Sequence, residues 1–439
     1  MISISRSQAR RFSGLLRQLF PRSERPRLRA VKLQAGPDGL AIFAASDRFG
    51  LQFRDPDSRT TETITVAPEL FATVAGSAKT PVDIDLQAPS EPGSNLVVAR
   101  WHDHDVPRSA EFSTTGPCRD DMPVLEQPSR WARLRPEQLQ GIAFAMQSVD
   151  SESLRYALNC IEIQGRNGTV AGTDGRMLFQ MTGLSLGFAS TILVPATTVL
   201  SHQEFAGTAR IGITGSHVVI ESGPWTLFLQ MNFEGRFPDV EKCIPPTDSA
   251  TSTLTISQSD LEFLSGALGR LPSGDEASRP VTLDLNGKVC LRARAQPTSA
   301  PTEMILRTSS RAGETACIAT SRDYLMRAVK LGFRTWEFHG GAGPIVARDS
   351  HSTFLWMPLG GDSVIPADSN ALVVESPVRP ASAMVRDTDH RDPLLELTDP
   401  SQLVNELDGL TRALLARVRQ LKKAIRPFRR RRSNCHTSR

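Results

Sequence analysis

Three short motifs hold the residue types that could act. Arg155-Tyr156-Ala157-Leu158-Asn159 is followed by Gly172-Thr173-Asp174-Gly175-Arg176-Met177-Leu178. Gly235-Arg236-Phe237-Pro238-Asp239 comes next, and Phe354-Leu355-Trp356-Met357-Pro358-Leu359 last. They do not offer catalysis. Asp174 has no nucleophile or base beside it, and the histidines are scattered. His102-Asp103-His104 lacks the further ligands that a zinc site requires and reads as exposed polar residues. Each motif taken singly has a structural reading, as a hairpin turn, an aromatic-anchored turn or a strand end. A second chemistry is cationic. Arg6, Arg10, Arg11 and Arg17 share one helical stretch, Arg322, Arg327 and Lys330 another, and Arg270 ends a third. Such sets attract phosphate, or else form a solvated face.

The elements that position these residues alternate between single helices and runs of short strands. Polar or proline entries and helical apolar spacing predict helices at about 7–19, 67–78, 136–147, 195–205, 258–271 and 321–332. Strand patterns fall at Leu28–Gln34, Gly39–Ala45, Arg48–Arg54, Tyr156–Gln164, Gly168–Gly172, Val281–Leu285 and Lys288–Arg294, several joined by Asp-Gly or Asn-Gly turns. Each helix is followed by a strand meander. The long units start near residues 1, 131 and 253, and each holds two helix-plus-meander halves. Runs of strands beside isolated helices predict an α+β fold. The expected boundaries are 1–125, 126–250 and 251–361, then a flexible linker at 362–398 and a basic helical tail at 399–439. Residues 114–130 and 245–253 have the composition of joining segments.

The chain has 439 residues, 39% hydrophobic and 22% charged, ordinary for a globular protein. Six cysteines without a CxxC pair give neither a zinc framework nor a disulfide scaffold, and point to reduced thiols in the cytoplasm. No apolar run approaches the roughly 20 residues of a membrane span. The first 22 residues carry five Arg and no acid. That mimics a transit peptide, but a strand leading into an amphipathic helix fits better because the same unit recurs twice. The net charge of +4 is uneven: residues 410–439 hold 11 basic groups and no acidic one. Asp399-Pro400-Ser401-Gln402 opens a helix with Leu403, Leu407, Leu410, Leu414 and Leu421 on one seam. Gly409 weakens it by about 1 kcal/mol relative to Ala. This tail is either a solvated helix or one that packs on a partner or its own copy. Its four-Arg end suits phosphate.

Asp174 and Asp239 are 65 residues apart, and Asp239 and Pro358 are 119 apart. With three doubled helix-and-strand units, this order of motifs resembles the bacterial DNA polymerase III beta subunit, the DNA sliding clamp, over residues 1 to about 360. The resemblance implies a three-domain clamp fold that forms a head-to-tail homodimeric ring. It implies a non-catalytic processivity factor of DNA replication with no cofactor and no metal, working in the cytoplasm beside a polymerase and its 3'-5' exonuclease. Duplex DNA would pass through the ring, touched by Arg6, Arg10, Arg11, Arg17, Arg25, Arg322, Arg327 and Lys330. A hydrophobic cleft would receive short peptides of polymerase and clamp-loader subunits. The matching positions are Leu158, Thr173, Gly175, Arg176, Leu178, Pro238, Cys243, Leu355, Met357, Pro358 and Leu359; the alternative is that these are core residues at a domain junction. Phe112, Leu268 and Leu271 correspond to the dimer interface.

The sequence also departs from the family. The usual His-Arg after Asp-Gly is Arg176-Met177, which on a strand turns the cation to the other face. Ala196-Thr197-Thr198 stands where a basic pair is common. The family ends near Gly360-Gly361, whereas this chain continues. These departures describe a diverged relative. They keep two alternatives open: a clamp-fold scaffold that recruits partners through cleft and tail without encircling DNA, and a tail-driven nucleic-acid or membrane-surface binder.

Overall fold

Each of three modules opens on a short strand that runs almost directly into a helix. The computed structural model describes residues 1–20, 28, 30–56, 61–77, 79–87, 94–104, 106–115, 125–150, 153, 157–340 and 342–378. Arg25 and the 399–439 tail lie outside the described residues. The first module comprises β1 (Ile2–Ser5), α1 (Arg6–Leu19), β2 (Val31–Gly36), β3 (Gly39–Ala45), β4 (Phe49–Asp55), β5 (Glu62–Val66), α2 (Glu69–Thr73), β6 (Pro81–Gln87), β7 (Ser94–Asp103) and β8 (Val106–Thr115). The second comprises β9 (Ala132–Leu134), α3 (Pro136–Gln147), β10 (Cys160–Gln164), β11 (Thr169–Thr173), β12 (Met177–Met181), β13 (Thr191–Pro195), β14 (Ala209–Ile213), β15 (His217–Ser222) and β16 (Trp225–Gln230). The third comprises β17 (Ser252–Thr255), α4 (Gln258–Ala267), β18 (Pro280–Asp284), β19 (Cys290–Ala293), β20 (Thr302–Ile305), β21 (Ser310–Gly313), β22 (Cys317–Ser321), α5 (Arg322–Lys330), β23 (Thr335–Phe338), β24 (Ile345–Arg348) and β25 (Ser352–Trp356). A last strand, β26 (Leu372–Glu375), follows.

Local chemistry explains the helix starts. Ser5 caps α1 by accepting from the Gln8 N–H at 3.1 Å, while Gln8 answers to the Ser5 N–H, a capping box. Pro136 opens α3 at a position where no N–H is needed. Ser257 accepts from the Asp260 N–H at 3.1 Å and starts α4.

Four sheets arise from one repeated rule. The first strand of each module pairs with its later strands: β1 with β6, β9 with β14, β17 with β23. The earlier strands form the other half, and that half continues into the next module. β4 pairs antiparallel with β16, and β12 with β25, giving sheets of 8 and 9 strands. Each joint is backed by aromatic packing under a helix. Trp225 lies 4.7 Å from Phe53 and 6.1 Å from Phe12 of α1, centroid to centroid. Phe144 of α3 lies 5.0 Å from Phe179 and 5.9 Å from Phe354, both at edge-on angles. Such pairs add about 0.5–1.5 kcal/mol each beyond burial.

The α+β class and the duplicated modules match the sequence reading, and several elements differ. The helix expected at 67–78 is only α2, Glu69–Thr73. The stretch 195–205 is not an α-helix. Pro195 still belongs to β13, and two single 3-10 turns follow, Val199–Ser201 and Gln203–Phe205. Thr197, Thr198 and Val199 are β-branched and stiff in a helix. Extended His202 separates the turns, and its Nδ1 accepts the Glu204 N–H at 3.3 Å. The strand expected from Tyr156 begins at Cys160. The expected flexible linker at 362–398 is corrected over its first part: residues 362–377 are folded against the third module, with Ile365 and Ser376 buried and β26 paired parallel to β20.

Candidate partner cleft and basic helix faces

The outer side of the β12–β25 joint carries a small apolar cluster separate from the main core. Ala171 and Leu178 come from the second module, Val346 and Leu355 from the third. The segment 237–244 crosses above them and contributes Phe237, Val240 and Ile244. Leu178 stands opposite Leu355, and Leu355 opposite Val346, so the floor is set by strand register. Of the expected cleft residues, Leu178 and Leu355 are 3% and 5% exposed and act as floor rather than open anchors. Ala171, Val240, Val346, Phe237 and Ile244 belong to the same cluster. The apolar spacing of 237–244 was the available signal for Phe237, Val240 and Ile244, whereas Val346 lies in a continuous apolar run, Ile345-Val346-Ala347, that does not single it out.

The rim is a turn built by side chains. Asp174 Oδ1 accepts the N–H groups of Arg176 at 2.8 Å and Met177 at 2.7 Å. Buried Thr173 donates its hydroxyl to the Met177 carbonyl at 2.6 Å and accepts the Gly175 N–H at 3.0 Å. Gly175 has φ +85°, which favours glycine, and open space where a Cβ would project. Arg176 is exposed in this turn and Met177, the first residue of β12, is buried. The Arg176 carbonyl accepts the Met357 N–H at 2.9 Å. Met357 is 42% exposed. Tyr324 of α5 borders this turn: burial pushes its phenol up, and the field of the Asp174 carboxylate adds to the rise.

The remaining expected residues are more dispersed. Pro238 lines a polar groove of about 670 Å³ with Glu162, Gln164, Asn167, Phe237 and Asp239. Cys243 is exposed on the crossing segment. Leu158 closes the turn after α3, its carbonyl accepting the Asp150 N–H at 2.9 Å. Pro358 and Leu359 are half-buried, and the Leu359 N–H donates to the Ala319 carbonyl at 2.8 Å.

The expected phosphate-binding cations divide into two groups. Arg6 binds its own module, donating to Asp103 at 2.8 Å and to the carbonyls of Val74 and Ala75 at 3.3 Å. Arg11 makes a two-point ion pair with Glu204 and lies 5.6 Å from the Trp225 ring centre. Arg322 is 1% exposed and donates to the Leu271 and Pro272 carbonyls at 2.6 Å each. It is therefore a core clasp and cannot meet DNA from there. Arg327 donates to the Gln147 carbonyl at the end of α3 at 2.7 Å, which ties two modules. Arg10, Arg17, Arg270 and Lys330 are exposed. Leu268 and Leu271, expected at a dimer interface, are buried within the third module. Phe112 of β8 is half-buried against the main core.

Asp103 of the His102-Asp103-His104 motif is engaged by Arg6, which holds its carboxyl below the usual range. Among the described residues no group of three or more His, Cys, Asp and Glu could hold a metal. No helix there is long and apolar enough to cross a membrane.

No protein-family model matches the chain, and no curated protein matches it. Solved structures do. The DNA polymerase III subunit beta from Pseudomonas aeruginosa is 20% identical, with a TM-score of 0.61 over 82% of this chain and 99% of that one. The C. crescentus beta sliding clamp is 19% identical, with a TM-score of 0.65 over 82% and 98%. The DNA polymerase sliding clamp from Bacillus subtilis is 17% identical, with the same TM-score of 0.65 and the same coverage. Together with the three strand-into-helix modules and the two sheet-to-sheet joints, these likenesses establish that the chain has the fold of the bacterial DNA polymerase III beta subunit, the sliding clamp.

Proposed function

We propose that this protein is a DNA sliding clamp: two copies associate head to tail, encircle duplex DNA and tether a polymerase and its clamp loader through short hydrophobic peptides. The observation that carries the reading is coverage, since the likeness extends over 98–99% of the clamp chains and so includes every module of the ring-forming unit. The protein has no chemistry of its own in this role and works in the cytoplasm, with catalysis left to the polymerase and its exonuclease. Contact with DNA is mild and sequence-independent, because topological linkage does the holding and tight binding would stop sliding. Arg10, Arg17, Arg270 and Lys330 supply it, joined by Arg25 of the sequence.

Peptides enter at the rim formed by Gly175, Arg176 and Met357, beside the segment 237–244. Met357 suits a site that accepts varied ligands. In the C. crescentus structure a polyethylene glycol molecule is bound to the proposed beta-motif tethering region, which supports a peptide site on this fold. Retention on nicked circular DNA with release on linearisation is the test. Protein that stays on linear ends refutes encirclement and favours binding by the tail. Protein never retained on circles leaves the scaffold reading, which the engagement of Arg6, Arg11, Arg322 and Arg327 by the protein itself favours.

A further inference from the structure

Both joints inside the chain obey one rule. The outermost strand of one module's earlier half pairs antiparallel with the outermost strand of the next module's later half: β4 with β16, then β12 with β25. In the third module the corresponding strand of the earlier half is β20, and in the first module the corresponding strand of the later half is β8; among the described residues neither is paired with another module. β8 ends its sheet. β20 does not, because its outer edge carries β26.

β26 is a weak occupant of that edge. It has four residues, against ten in β8. It runs parallel to β20, the opposite sense to both internal joints, and parallel pairing is the less stable per residue. Leu372, Val373 and Val374 remain 66%, 51% and 39% exposed, whereas Trp225 to Leu229 at the β16 joint are all buried. Backbone bonds hold β26: the Leu372 N–H donates to the Pro301 carbonyl and the Ser376 N–H to the Ile305 carbonyl, each at 2.9 Å. Buried Ser376 also accepts the Arg307 N–H at 2.9 Å. Farther back, the Ile365 N–H donates to Thr282 Oγ1 at 2.7 Å. An unpaired β20 edge would be a template for any passing strand, and β26 covers it.

We propose that Leu372–Glu375 is an intramolecular seal: it occupies the β20 edge that the sheet rule reserves for β8 of a second copy, and it leaves that edge before two chains associate. The identity of the incoming strand rests on the head-to-tail pairing proposed above; the covered edge does not. The seal therefore sets a threshold on ring closure.

Proline substitutions in the full-length chain test this. Leu372 and Ser376 present their N–H groups to β20, so by strand alternation Val374 does too, and Val373 faces away. Val374→Pro removes a bond to β20, and Val373→Pro is the control. Sedimentation equilibrium should show self-association at least tenfold tighter for Val374→Pro and unchanged for Val373→Pro. Faster amide exchange in β20 of Val374→Pro, with an unchanged melting curve, should confirm that the edge opened in a folded protein. Unchanged association of Val374→Pro with an opened edge overturns the seal. Weaker association of both variants overturns it differently, because β26 would then be the strand onto which the second copy adds. In β8, Pro107 stands opposite His102 and has no N–H to give it, so alternate Glu111 faces outward. Adding Glu111→Pro to Val374→Pro should abolish the gain. A gain that survives Glu111→Pro supports the seal and refutes the head-to-tail pairing, so the two ideas fail separately.

Discussion

Leu178 of β12 and Leu355 of β25 face each other directly across the joint of the second and third modules, and both are buried. The floor of the proposed peptide cleft is therefore also part of the seam that fixes one module on the next. Removing either leucine should cost about 2–5 kcal/mol of stability, and the double variant less than the sum because the two residues touch one structure. Urea denaturation measures this directly.

Met357 behaves differently because it is exposed at the rim. Met357→Ala should weaken capture of a leucine- and phenylalanine-anchored peptide by about tenfold while shifting the denaturation midpoint little. Leu178→Ala in the same assay should lose both affinity and stability. Full peptide affinity in Met357→Ala would remove this rim from the site.

Arg322 and Arg17 separate folding from DNA contact. Arg322→Ala leaves the Leu271 and Pro272 carbonyls unpaired in the core and should cost about 2–4 kcal/mol. Arg17→Ala should leave stability unchanged and lower the salt dependence of DNA association by about one phosphate equivalent, a slope change near 0.9. A reversal of the two effects would exchange their roles.

Glu204 carries a pH dependence. The hydrogen bond from Arg11 holds its carboxyl below the ordinary value of 4.5, and the Trp225 indole N–H adds to the effect at 2.8 Å. Its folded pKa lies below its unfolded pKa. The stabilisation is therefore complete above pH 4.5 and is lost as pH falls through the folded value. Glu204→Gln should flatten the stability profile in that acidic window, while its profile at neutral pH stays parallel to that of the parent chain. A denaturation series across pH reads both.

Cysteine reactivity maps the cleft. Cys243 is exposed on the segment 237–244, whereas burial pushes the Cys290 thiol up to about 12. At pH 8 an alkylating reagent should modify Cys243 and spare Cys290 in the folded protein, as peptide mass mapping would show. A bulky adduct at Cys243 should also reduce peptide capture.

Much of the fold was legible in the sequence because its signals are local. Ser5 with Gln8, and Pro136 at the start of its helix, announce α1 and α3 through neighbours within one turn. The fourth expected helix misled because Val199, Leu200 and Phe205 keep a helix-like apolar spacing and are indeed buried. Their burial is achieved by 3-10 turns, since packing rewards the apolar face and not the hydrogen-bond pattern beneath it. The motifs that border the apolar cluster were also readable, but Val346 joins them only through its place opposite Leu355.

The sequence by itself determined the three modules, their α+β character and the family they resemble, because repeats, caps and alternation are written in adjacent residues. Only the tertiary structure decided which cations are left exposed and which are engaged by the protein itself. Arg6 finds Asp103 and Arg322 finds the Leu271 carbonyl across long sequence separations, and a guanidinium engaged by its own core is indistinguishable in sequence from an exposed one. Only the tertiary structure showed that Leu372–Glu375 is a strand. Four residues exposed on both faces carry no periodicity, and the edge that orders them lies seventy residues upstream at β20.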